Sequence, residues 1–339
     1  MQLERGREIL SCGDSSQRRL IEIPTGHQLR TGPEALEAFQ LVACEVSRMA
    51  LGGEIASEPA PARILEKRQK RERRRLPSPK FDLRRFWRDY LVGRRGLVGI
   101  ELLTATSAYQ GLMDDQIKAL GLRNSERVAD LGSGAGDFAC RLFRRGSGDA
   151  RVRVFAVDYV GEALERGRRR LAGRDWPAGS ALLPVMGNLD VRKGQTAIPF
   201  RSRSFDAVLA SLLLGYLSDA GAVLREIHRI LKPRGRLVLS TLRRDADISR
   251  IDIDSVAGLQ PDRLRRIFSE AVAGDIEQLR QDFLSDASRI IDLEEFGYFR
   301  FWSSRELEEL IAKAGFVNIE TRLSFGDPPQ AILASCERP

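Results

Sequence analysis

Val128-Ala-Asp-Leu-Gly-Ser-Gly-Ala-Gly-Asp-Phe138 is the stretch whose reading decides the fold. Val128 to Leu131 has the form of a buried strand's end, with apolar residues flanking one acid. Gly132, Gly134 and Gly136 then allow a sharp turn and a close approach of backbone to ligand. From Asp137 the pattern turns helical, with Phe138, Leu142 and Phe143 available to one apolar face. A strand, a glycine turn and a helix start together predict a nucleotide-sized binding corner in a doubly wound α/β sheet.

The spacing narrows the ligand. A dinucleotide-binding G-x-G-x-x-G would place its third glycine at 137, where an Asp stands. An acid there repels a pyrophosphate, and no Gly-Lys-Ser/Thr follows to form a phosphate loop. The pattern suits a ligand that has no phosphate and carries a positive charge. S-adenosylmethionine fits, with its sulfonium, ammonium and adenosine. Asp130, inside the strand, is a buried acid that needs a partner such as a bound ammonium or backbone N–H groups.

Downstream the chain alternates as a parallel sheet requires. Strand two is Val152–Val157, followed by a helix from Gly161 to Leu171. Strand three is Ala181–Met186, and strand four is Phe205–Ser211. A helix from Asp219 to Leu231 comes next, with Asp219 as N-cap and Val223, Ile227 and Ile230 on its apolar face. Lys232-Pro-Arg-Gly235 breaks it, and Arg236–Leu242 is strand five. Ser303-Ser-Arg-Glu306 is a capping box that opens a last helix. Phe316–Phe325 and Gln330–Cys336 then read as two antiparallel strands joined by Gly326-Asp-Pro-Pro329.

Strand two ends in Asp158, 22 residues after Gly136. An acid there is placed to accept hydrogen bonds from ribose hydroxyls. Tyr159 beside it is placed to pack on an adenine face. Asn188, Leu189 and Asp190 follow strand three, and either Asn188 or Asp190 could hold the adenine amino group.

Residues 245–301 do not fit the sheet pattern. Leu264, Ile267, Phe268 and Ala271 form one helical stripe; Ile276, Leu279, Phe283, Ala287 and Ile290 form another. A helical insert after strand five is expected to cover the carboxyl edge as a lid. Upstream, residues 79–121 are helical and aromatic and are expected to roof the corner in part. Within them Phe86 and Trp87 read as ordinary core. Tyr109, with Phe299 and Trp302 at the end of the insert, is a candidate for contact with an acceptor.

The remaining composition excludes more than it assigns. The chain has 339 residues and a net charge of +8, of which +6 falls in Lys67–Arg75 (KRQKRERRR). So concentrated a run reads first as a solvated helix or linker, with binding to nucleic acid or an acidic surface as the weaker alternative. Cys12, Cys44, Cys140 and Cys336 are scattered, without disulfide or metal-ligand spacing, and a reducing cytoplasm is expected. No apolar run has membrane-spanning length, and Met1-Gln-Leu-Glu-Arg lacks a signal-peptide core. The expected divisions are an appendage at 1–63, a basic and aromatic helical linker at 64–104, and the ligand-binding domain at 105–339. In the appendage two short strands (within 7–11 and 19–24) and a helix from Pro33 are expected. His27 reads as a loop residue. Residues 1–80 are a candidate surface for a protein partner or a second copy of the chain.

Together these features resemble the class I S-adenosylmethionine-dependent methyltransferases, and most closely the small-molecule group that includes the ubiquinone and menaquinone C-methyltransferases. The resemblance covers roughly residues 105–336. It is carried by VADLGSGAGDF at 128–138, Asp158, IPFRSRSFDAVLAS at 198–211, LREIHRILKPRGRLVLS at 224–240 and RELEELIAKAGF at 305–316. It implies a Rossmann-like seven-stranded sheet whose last strand inserts antiparallel. It also implies cofactor contacts at Asp130, Gly132, Ser133, Gly134, Asp158 and the 188–190 turn, with Ser211 and Leu212 at the end of strand four. Gly136 completes the corner. Pro233-Arg234-Gly235 stands where the family usually has Pro-Gly-Gly.

Methyl transfer from a sulfonium needs mainly positioning, and a general base only if the acceptor must lose a proton. His228 sits in a helix that is structural in the family; Tyr216, just past strand four, is the better catalytic candidate. The expected acceptor is a mid-sized, largely apolar small molecule. An RNA methyltransferase is a weaker alternative, since Ser211-Leu-Leu-Leu-Gly-Tyr216 is apolar where base-methylating enzymes carry a Pro-Pro motif. A catalytically inactive partner or scaffold protein is the other.

Overall fold

Three apolar runs, at 128–131, 154–157 and 205–210, need burial on both faces, and a central parallel sheet gives it to them. The computed structural model describes residues 82–94, 99–145, 151–172, 179–190, 198–247, 281–282, 285–286, 289–290, 292–294 and 296–339. All of these lie in the second of two compact units, Pro59–Pro339. The expected strands and helix of the appendage, the basic run, His27, Cys12 and Cys44 lie outside the described residues. So do the first stripe of the insert and most of the second.

In chain order the elements are α1 (Leu83–Val92), α2 (Glu101–Thr104), α3 (Ser107–Leu120), β1 (Arg127–Leu131), α4 (Asp137–Arg145), β2 (Arg153–Asp158), α5 (Gly161–Leu171) and β3 (Ala181–Met186). There follow β4 (Phe205–Ala210), a 3-10 turn (Leu214–Tyr216), α6 (Ala220–Ile230), β5 (Leu231–Leu242), α7 (Ser304–Lys313), β6 (Val317–Ser324) and β7 (Ala331–Glu337). The seven strands form one sheet in the order β3-β2-β1-β4-β5-β7-β6. β1 to β5 are parallel, and β7 inserts antiparallel between β5 and β6. The chain winds outward from β1 to β3, then returns to β4 on β1's other side. The crevice beyond the carboxyl ends of β1 and β4 is therefore the switch point where such sheets bind ligands.

The period-two alternation of the strands sorts the core into two layers. Val128, Val154, Ala207, Leu209 and Val238 face α3, α4 and α5. Ala129, Leu131, Val208, Leu237 and Leu239 face α6 and α7. Ile290 and Leu293 of the insert join the first layer. Arg94, just past α1, reaches the insert through Asp286 at 2.6 Å and Asp282 at 3.4 Å. No helix among the described residues is long and apolar enough to cross a membrane.

One boundary differs from expectation. Lys232–Gly235 does not precede strand five; it is absorbed into β5. A register shift lets Phe205 pair with Leu231 and Ala207 with Arg236. The pairing with β7 starts only at Arg236, so Pro233, which has no N–H, stands outside that ladder.

Candidate methyl-donor site

Gly132, Gly134 and Gly136 all take positive φ, at 69°, 52° and 73°, a region that side chains with a Cβ rarely enter. The N–H groups of Gly132 and Ser133 both donate to the carbonyl of Val157, at 2.8 and 3.1 Å. That pair fastens the turn to the end of β2. A Cβ on Gly132 would lie 2.8 Å from Cδ1 of Leu213, so the turn after β4 closes against this glycine. Gly136 has a different task. Its Cβ would meet Cα of Gly167 at 3.5 Å, which makes the pair a contact between the corner and α5. Gly136 does not line the cavity described next.

Beyond the corner lies a cavity of about 630 Å³, within the range of roughly 300–1,000 Å³ that holds small-molecule ligands. Gly132, Ser133, Gly134, Asp158, Tyr159, Asn188, Leu189, Asp190, Ser211 and Leu212 all line it, as do Tyr109 and Tyr216. Residues far apart in sequence are thus brought to one space by the carboxyl ends of four strands.

Asp158 is almost wholly buried. Its Oδ2 accepts from the N–H of Gly134 and its Oδ1 from that of Val160, both at 2.9 Å. Burial pushes its pKa up, against the pull of the N–H groups of Val160, Gly134 and Tyr159. A carboxylate offers about four acceptor positions, so these N–H groups leave acceptor capacity for a ribose hydroxyl. Asp190 accepts from the N–H and hydroxyl of Ser218 at 2.6–2.9 Å. Asn188 Oδ1 accepts from the N–H of Asp190 at 3.0 Å, which leaves the Asn188 amide nitrogen to donate. That division suits Asp190 to an amino group and Asn188 to a ring nitrogen. The Tyr159 hydroxyl donates to the carbonyl of Leu83 at 3.2 Å, pinning its ring beside the opening of α1.

Asp130 lies beneath the corner and outside the lining, 2% exposed. Its Oδ2 and the Ser133 hydroxyl are buried without a hydrogen-bond partner among the described residues. Burial, then Asp158 and Asp137, push the Asp130 pKa up to about 8. An unpartnered acid and hydroxyl beside a glycine cradle match a cationic, hydroxyl-bearing ligand. S-adenosylmethionine has that chemistry. Asp137, where a dinucleotide corner would have glycine, is taken by Arg170 at 2.8 Å.

The far wall is aromatic. Trp87 and Tyr90 of α1 line the cavity with Tyr216. The rings of Trp87 and Tyr216 are 4.8 Å apart, and Phe299 stands 4.9 Å from Tyr216 and 5.8 Å from Trp87. Trp87, read from the sequence as ordinary core, packs against the core and also lines the cavity, whereas Phe86 is buried in the core and does not line it. Phe299 backs the wall without lining it. Trp302 is further removed, buried in the layer that faces α6 and α7. None of the described residues of 281–301 is in the lining.

None of the lining acids is a ready base: Asp137 is held by Arg170, Asp158 by backbone N–H groups and Asp190 by Ser218. Burial raises the pKa of Tyr216 strongly, with Tyr90 adding to it. A phenol kept neutral in this way can donate a hydrogen bond. His228 packs edge-on to Phe316 in α6, outside the lining.

This sheet order, glycine corner and strand-two acid are similar to those of class I S-adenosylmethionine-dependent methyltransferases. Residues 129–239 match a family model described as a methyltransferase domain. Two relatives are ubiquinone/menaquinone biosynthesis C-methyltransferases. That of Enterobacter sp. (strain 638) is 33% identical over 124 residues, covering 36% of this chain and 45% of the relative. That of Haemophilus ducreyi is 34% identical over 124 residues, covering 36% and 44%. The match thus spans under half the length of these relatives. Among solved structures, the phosphoethanolamine N-methyltransferase 2 of Haemonchus contortus is 14% identical. It covers 78% of this chain and 62% of its own, with a TM-score of 0.49.

Proposed function

We propose that the chain transfers the methyl group of S-adenosylmethionine to a mid-sized, largely apolar small-molecule acceptor. The observation that carries this reading is the cavity's two-sided character. One side is a glycine corner with Asp158 and the 188–190 turn, the other a wall of Trp87, Tyr90 and Tyr216. The cofactor supplies an electrophilic methyl group on a sulfonium. The protein's part is then to hold the two reactants in line, which is worth up to roughly 7–11 kcal/mol of barrier. Asp158 and the 188–190 turn orient the nucleoside, and the aromatic wall receives a flat apolar body while excluding water. Tyr216 donates to an oxygen of the acceptor.

Because none of the described lining residues is a free base, the acceptor arrives nucleophilic or readily ionised. The C-methyltransferase names of the relatives support a carbon acceptor. Lining acids disfavour a polyphosphate chain, which argues against RNA. An inactive partner protein would have no use for a cationic-ligand corner with an unpartnered acid beneath it.

Incubation with methyl-labelled S-adenosylmethionine, total RNA and an organic extract of cells tests the proposal. Label recovered in the organic phase is the expected result. Label recovered in RNA, or in neither fraction despite cofactor binding, would contradict it. Trp87→Ala is expected to reduce organic-phase labelling by more than tenfold, roughly the loss of one buried aromatic contact, with cofactor affinity little changed.

A further inference from the structure

Gln116 is a polar residue in the middle of an apolar stripe. The buried positions of α3 are Tyr109, Leu112, Met113, Gln116 and Leu120, the spacing of a single helical face. Gln116 is fully buried. Its Nε2 donates to the hydroxyl oxygens of Ser211 and Ser240, 2.9 Å away in each case. The Ser240 hydroxyl oxygen also accepts the N–H of Leu212 at 3.0 Å. The two serines are neighbours because β4 and β5 run parallel, with Ala210 paired to Leu239 just before them. One helix and two strands are therefore joined at one point, under the turn that leaves β4.

That turn, Ser211–Leu213, lines the cavity. Leu212 is held at φ +47°, in the left-handed region that a leucine enters only at a cost. Leu213 packs into the space that a Cβ on Gly132 would claim, so a shift of this turn moves one wall of the glycine corner. The junction has a cost as well. Gln116 Oε1 is buried and accepts no hydrogen bond among the described residues, a penalty an apolar side chain of equal length would avoid. Packing alone gives no reason for an amide in this position. Holding the strained turn does.

We propose that Gln116, together with Ser240, is a positioning residue for the donor site. It is absent from the cavity lining and acts through Ser211 and Leu212, fixing the turn against which Gly132 and the bound cofactor rest. This rests on the methyl-donor reading above and adds to it a residue that touches no ligand.

The test is titration calorimetry with S-adenosylmethionine on the full chain, on Gln116→Met, on Ser240→Ala and on the double variant. Each is measured well below its own thermal midpoint, which is recorded separately. Methionine keeps the length and the burial of the side chain and deletes the amide. Either single change is expected to weaken binding about tenfold, the scale of one buried hydrogen bond. The double variant is expected to be no weaker than the singles, since both cut the same link. Affinities of both single variants within about twofold of the unaltered chain would overturn the proposal whatever the midpoints do. A glutamine with only a structural role moves the midpoint and leaves the affinity alone. If Gln116→Met does not fold, Ser240→Ala decides by the same criterion. Failure of the unaltered chain to bind would instead defeat the donor reading, and this inference with it.

Discussion

A carboxyl group beneath the glycine corner, Asp130, is buried with one oxygen unpartnered among the described residues and its pKa pushed up to about 8. Burial and the neighbouring acids Asp158 and Asp137 favour its protonated form. A group whose folded pKa lies above its unfolded value stabilises the fold below the ordinary carboxylate range, and that contribution is lost as pH rises through the folded pKa. The ligand-free chain is thus expected to be less stable at pH 8 than at pH 5. A cation bound above the corner would favour the carboxylate, so donor binding is expected to release this proton. Affinity is expected to rise between pH 6 and pH 8, by at most about tenfold per unit. At pH 7 the calorimetric heat is expected to vary with the ionisation enthalpy of the buffer. Asp130→Asn separates this proton from the ligand's own ammonium: the variant should lose part of the buffer dependence. Equal heats for both proteins in both buffers would show that Asp130 does not titrate on binding. Asp130, Asp158 and the three glycines were legible in the sequence because their spacing is local and each needs a special backbone or partner. Trp87, Tyr90 and Gln116 were not. A buried helical stripe shows which side chains point inward, not which of them meet a cavity or a neighbouring strand.

At the scale of elements, α7 gives the cleanest case of sequence setting structure. The Ser303 hydroxyl oxygen accepts the N–H of Glu306, and the Glu306 carboxylate accepts the N–H of Ser303 at 2.9 Å. The N–H and hydroxyl of Ser303, then Arg244, pull the Glu306 pKa down to about 2. Such a depressed acid contributes stability above the ordinary carboxylate range and loses it as pH falls through the folded pKa. Ser303→Ala is expected to cost about 1 kcal/mol, seen as a fall of roughly 2 °C in the thermal midpoint at pH 7. The difference should shrink toward pH 2; a midpoint unchanged at pH 7 would show that the cap is idle. The sheet strands were equally legible, since runs such as Phe205–Ala210 are apolar on both faces. The start of β5 was not, because Pro233 and Gly235 look like a break until the register shift beside β4 is known.

Across the whole molecule, the cavity is assembled from segments around 83–91, 100–109, 132–137, 158–159, 186–190 and 211–217. Its donor half was readable because the glycine corner and the strand-two acid each announce themselves within one βα unit. Its acceptor half was not, because α1 arrives from before the sheet and meets the β4 turn only in three dimensions. The central claim is that this assembled corner binds S-adenosylmethionine, and titration calorimetry tests it most directly. The expected result is saturable binding of one molecule per chain, in the range usual for enzyme ligands of about 1 μM to 1 mM. Asp158→Asn should weaken it by about tenfold or more, the loss of charge-assisted bonds. No heat at millimolar S-adenosylmethionine, or equal binding by Asp158→Asn, would contradict the account.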